Sequence, residues 1–112
     1  MYHDMLTNEI LIDQRRYKIE DMVKAIFRRY PDMYNGYAFQ NTRDFVIDYT
    51  MSMDRNEQRD EMVRLMCKVI SEDRKAKKDN DSCGRWIAAR LFLVAVDLHP
   101  YYRNYISNFN KN

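Results

Sequence analysis

The sequence predicts an all-α fold, a compact bundle of five to six helices around a central hydrophobic helix at about residues 83–98. Three observations carry this. Trp86–Leu98 is apolar at nearly every position, so a helix built from it is surrounded by protein rather than lying on a surface. Apolar residues recur at helical spacing in the segments before it. With only 2 Gly and 2 Pro in 112 residues there is little material for tight hairpins, which favours helices joined by polar loops. The length corresponds to one helical domain, 1–112, large enough to bury a core without staples. The hydrophobic fraction of 46% separates the chain from disordered sequences.

Taken in order, Leu6, Ile10 and Tyr17 favour a helix from about Thr7, capped by Thr7 or Asp4, although Ile10, Leu11 and Ile12 equally suit a short strand. Ile19, Met22, Val23, Ile26, Phe27 and Tyr30 then form one apolar stripe, opposite Lys18, Glu20, Asp21, Lys24, Arg28 and Arg29. Acid early and base late suits the helix dipole, and Pro31 ends the helix. Residues 31–40 read as an aromatic connection turning at Asn35 and Gly36. Asn41 or Thr42 is the expected cap of the next helix, with Phe45, Val46, Tyr49 and Met53 facing inward. Asp54 and Glu57 have the spacing of a capping box, followed by Met62, Val63, Met66, Val69 and Ile70 on an inward face. The polar run from Glu72 to Asp81 is expected to fray that helix into a loop. Ser82 is the expected cap of the central helix, which ends at His99 and Pro100. A last short helix from Pro100 folds Tyr101, Tyr102, Tyr105, Ile106 and Phe109 back onto the core, leaving residues 110–112 loose.

Most chemistry is disfavoured. The two histidines, His3 and His99, are not at ligand spacing with Cys67 or Cys83, so no metal centre and no cofactor are expected. His99 reads as a helix-end residue facing the dipole. Phosphate-cradling loops need several glycines, and only Gly36 and Gly84 exist. Ser82, Cys83 and Gly84 at a helix start lack a partner base, and Asp54, Glu57 and Glu61 read as a cap and a solvated face. The chain is therefore expected not to be an enzyme. Arg90 and Asp97 on the central helix are expected to mark a narrow polar strip where it meets solvent or a neighbour's opposite charge, since an unpaired buried charge is costly, in preference to lining a ligand cleft or a subunit interface. Two cysteines make no disulfide framework, and no secretory, lipidation or membrane-spanning segment is legible, so a cytoplasmic protein that does not engage membranes is expected. The richness in Tyr, Met, Asn and Lys is that of AT-rich coding, as in many phages and viruses.

Two surfaces stand out. The aromatic stretch Tyr30, Met33, Tyr34, Tyr37 and Phe39 is the candidate partner-binding surface, because tyrosine is amphipathic and is enriched at interaction hot spots, although two or three of these rings equally suit plugging the end of the bundle, and beside Arg28 and Arg29 they also suit stacking on single-stranded bases. The expectation is an interaction protein (adaptor, inhibitor or regulator) that binds a protein partner or itself as a homodimer. The runner-up is a nucleic-acid-binding regulator using Arg15, Arg16, Lys18, Lys24, Arg28 and Arg29, although the net charge of +2 does not demand one. The Arg74–Lys78 run is flanked by acids and reads as a solvated helix end. A third reading is a small-molecule sensor with a pocket between the central helix and its neighbours.

Overall fold

The computed structural model describes residues 9–12 and 15–109, with side chains from Lys18 to Asn108. In place of the helix that the sequence favours from about Thr7, the described backbone is a hairpin of β1 (Glu9–Ile12) and β2 (Arg15–Lys18), with Ile10, Leu11 and Ile12 in the strand they equally suit. The strands are antiparallel, with Glu9 opposite Lys18 and Ile12 opposite Arg15. Two β-branched residues, Ile10 and Ile12, in a four-residue strand give the local preference. Thr7 itself and residues 110–112 lie outside the described residues.

β2 runs directly into α1 (Ile19–Arg29), which buries Ile19, Val23 and Phe27 and half-buries Met22 and Ile26, the stripe its spacing predicts. Glu20 and Asp21 occupy its first turn and Arg28 and Arg29 its last, each suited to the helix dipole. Residues 31–36 turn twice, Met33 N–H donating to the Tyr30 carbonyl and Gly36 N–H to the Met33 carbonyl.

α2 (Tyr37–Thr50) starts earlier than its sequence suggests. Gly36, extended at φ −88° and ψ 161°, is the N-cap, and its carbonyl accepts from Gln40 N–H. Thr42 caps nothing, because its hydroxyl donates to the Ala38 carbonyl one turn back. The earlier start places Phe39, Val46 and Thr50 on the buried face, spaced by seven and four. Phe45 and Tyr49, expected inward, consequently face out, and Met53 is half-buried beyond the helix.

α3 (Arg55–Lys78) opens on the predicted capping box: Asp54 accepts from Glu57 N–H at 2.9 Å while Glu57 accepts from Asp54 N–H at 3.1 Å. It buries Met62, Val63, Leu65, Met66, Val69 and Ile70, and it does not fray at Glu72. The polar run stays helical as far as Lys78, because Ala76 still packs on α4 and Asp73 still meets Arg85. The helix then closes in a Schellman turn: Asp81 N–H donates to the Ala76 carbonyl and Asn80, at φ 56°, donates to that of Lys77. Asp81, not Ser82, caps α4 (Ser82–Leu98) by accepting from Gly84 N–H at 2.8 Å. A Cβ at Gly84 would lie 2.5 Å from Asp81 Oδ2 and 3.2 Å from Ala76 Cβ, so glycine permits both the cap and the close approach of α3.

α4 is the central helix. Phe92, Leu93, Val94, Ala95 and Val96 are all buried, and it packs against α1, α2, α3 and α5. α5 (Arg103–Phe109) begins later than Pro100, with Tyr102 in the preceding turn and Ile106 both buried. All five helices described contribute to one core or pack directly against it.

Candidate functional site

The predicted aromatic surface divides on folding. Met33 and Phe39, 6% and 3% exposed, are core residues and present nothing to a partner. Tyr30 is half-buried against the core with the Arg29 guanidinium 5.5 Å from its ring centre. The Tyr34 ring packs between Phe27 and Phe39, with centroids 5.8 and 4.8 Å away. Of the five, Tyr37 alone is fully presented, 89% exposed at the first position of α2.

Beneath Tyr37 lies a polar node. Tyr34 Oη donates to Asp97 Oδ1 at 3.4 Å, and Arg43 Nε donates to Asp97 Oδ2 at 2.7 Å. Asp97, only 14% exposed on α4, is thereby paired as its position requires. Burial first, and then the Asp97 carboxylate, raise the Tyr34 hydroxyl above its ordinary pKa. Arg90 is not part of this pairing. Its guanidinium lies 4.6 Å over the Trp86 ring, which holds the charge by a cation–π contact while its Nε makes no hydrogen bond.

The residues that sequence reasoning missed are on the outer face of α2. Phe45 is 68% exposed, Met51 just beyond the helix is 71% exposed, and Tyr49 is partly covered by Phe45, at 5.8 Å between centroids. The Tyr49 hydroxyl donates to Glu61 Oε2 of α3 at 3.0 Å, and burial together with that bond pushes its pKa up to about 12. Asp44 and Asp48 are exposed on the same helix, while its one arginine, Arg43, is turned to Asp97. With Tyr37 at one end, this face interleaves large apolar side chains with the two carboxylates. The signal that marks it is the Phe39, Val46, Thr50 spacing, which claims the inward face and leaves Phe45 and Tyr49 outside.

The basic residues follow their predicted placement in part. Lys18, Lys24, Arg28 and Arg29 are exposed on or beside α1, and Lys24 and Arg28 share one face at i and i+4. Arg15 and Arg16 lie on β2, with side chains outside those described.

His99 does not face a helix dipole as a cation. Its Nδ1 accepts from Tyr101 and Tyr102 N–H groups, both at 3.1 Å, so a neutral ring carries its proton on Nε2. The ring is buried and stacked on Tyr102 at 4.2 Å. Burial lowers its pKa to about 4, assisted by Arg59 and opposed by Asp60. Cys83 is exposed and Cys67 half-buried, with burial raising the Cys67 thiol. Among the described residues no three His, Cys, Asp or Glu side chains converge on a cation position, and no helix is long and apolar enough to cross a membrane. No family model, curated protein or solved structure matches the chain.

Proposed function

We propose that this chain is a non-enzymatic interaction protein whose binding surface is the outer face of α2, entered at Tyr37 and continued through Phe45, Tyr49 and Met51. The observation that supports it is the concentration of large apolar side chains, exposed and in sequence proximity, on one helix whose other face is committed to the core. Scattered single hydrophobics need no explanation, but a set gathered on one helix face marks an interaction site. The partner it fits is a protein surface that offers apolar contact with basic groups set among it, matching Asp44 and Asp48. A second copy of this chain supplies basic groups in Lys24, Arg28 and Arg29 of α1, exposed and without a carboxylate partner among the described residues. Self-association is accordingly the first case to test.

Sedimentation of the wild-type chain across micromolar concentrations, beside Phe45→Asp and Tyr37→Ala, tests this reading. The expected result is a dimer that both variants weaken, with unchanged helical circular dichroism, and that Arg28→Glu also weakens. A wild-type chain that stays monomeric at every concentration removes the self-association reading. A second reading, nucleic-acid binding through α1, is favoured by the same three unpaired cations. It predicts a mass shift with single-stranded oligonucleotides that disappears in moderate salt and in Arg28→Ala/Arg29→Ala.

A further inference from the structure

On the side of the molecule where α1, α3 and α4 meet, the helices leave a cleft of about 210 Å³. Ala25, Ala88 and Ala89 stand where larger side chains would close the gap, and Ile26, Val69 and Phe92 complete an apolar floor. The mouth has a different character. It is lined by Arg29 from α1, Lys77 and Asp73 from α3, and Arg85 from α4, three cations and one carboxylate. Asp73 Oδ1 lies 3.5 Å from Arg85 Nε, yet that buried Nε makes no hydrogen bond. Arg29 and Lys77 have no acidic partner among the described residues. An apolar cavity of roughly 150 Å³ is enough to hold benzene, so this cleft admits one ring or a short acyl chain. A donor left without an acceptor beside surplus positive charge is satisfied by an anionic oxygen.

We propose that this cleft binds a small organic anion, with a ring-sized or short-chain apolar body on the alanine floor and a carboxylate at Arg85 and Lys77. Its residues do not include Tyr37, Phe45, Tyr49 or Met51, and of the α1 cations that would face a second copy it shares Arg29 alone. Body and head group are recognised by different residues, and the two contributions separate experimentally.

The test is a titration followed by methyl NMR of the intact chain, reading Ile26, Val69, Ala88 and Ala89, with octanoate and benzoate against octanol and benzyl alcohol. The anions are expected to shift those methyl signals saturably and to bind roughly tenfold more tightly than the matching alcohols, the scale of one charge-assisted hydrogen bond. The Lys77→Gln/Arg85→Gln variant is expected to erase the difference between anion and alcohol while leaving the alcohol affinity unchanged. Ala25→Leu, at the exposed edge of the cleft, is expected to weaken all four ligands, and Phe45→Asp none of them. Alcohols binding as well as anions, shifts that map away from the cleft, or no saturable shift at millimolar ligand would each overturn the proposal.

Discussion

A single side chain, His99, shows how folding settles what a residue does. On sequence it is a cation for a helix end, but its Nδ1 caps the next turn by accepting two backbone N–H groups, so the ring has to be neutral. Its pKa of about 4 lies below the ordinary 6.5. Above about pH 6.5 the ring is neutral in the folded and unfolded chains alike, and no penalty exists. Between about 6.5 and 4 the unfolded chain takes up a proton that the folded chain refuses, so stability falls as the pH falls, by at most roughly 1.4 kcal/mol per unit. Below about 4 both states are protonated and the contribution of His99 levels off. Urea unfolding between pH 7.5 and 4 measures this, with His99→Gln expected to be less stable at neutral pH and less steeply dependent on pH. Equal slopes for the two proteins would rule it out. The neighbouring Tyr102 hydroxyl, buried without a hydrogen-bond partner among the described residues, is raised well above the usual tyrosine range, chiefly by its own burial.

At the scale of the element, legibility followed the strength of the local signal. The Asp54 capping box and the α1 stripe depend on residues three or four apart, and both were readable in one dimension. The start of α2 was not, because Gly36 caps with its carbonyl and offers no side chain, whereas Asn41 and Thr42 look like better caps than they are. That shift of about five residues turned Phe45 and Tyr49 from core into surface. It also yields a contrast to measure. Phe39→Ala is expected to cost about 3–4 kcal/mol, as for a buried phenylalanine, while Phe45→Ala stays within about 0.5 kcal/mol, as for a surface position. Thermal or urea unfolding distinguishes them, and comparable losses at the two sites would mean that α2 starts nearer Asn41. The Glu72–Asp81 run departs from its sequence pattern for the opposite reason. Its stability as helix comes from Ala76 and Asp73 contacting α4, which no local pattern records.

Across the whole molecule, the central helix and the helical class were legible because an all-apolar segment has only one place to go. The candidate surfaces were legible only in outline, since exposure is decided by which neighbours arrive. Tyr30, Met33, Tyr34 and Phe39 were drawn inward and Tyr37 was left outside. Core packing places Met33 and Phe39, and Asp97 adds a polar tie through which α4 holds Arg43 of α2 and Tyr34 of the preceding loop. Arg43→Met and Asp97→Asn are each expected to lose about 1–3 kcal/mol, the cost of a half-buried charge deprived of its partner. The double variant should lose less than their sum, as coupled sites do. A strictly additive cycle would mean that the contact does not join the elements energetically.

The turn at Asp79–Asp81 has a consequence in time. It links α3 and α4, the two longest helices, across three residues, so the largest shared interface forms at the lowest loop-closure cost. Chains rich in such short-range pairing fold quickly, and the pair closed first tends to be the last to open. α3 and α4 are therefore expected to form the nucleus onto which α1, α2 and α5 dock, and native-state amide exchange should find their central N–H groups the slowest in the chain. Slower exchange in α2 than in α4 would place the nucleus elsewhere. On this order of events, the proposed α2 surface is assembled last and is the first to loosen, and the cleft is completed only when α1 docks.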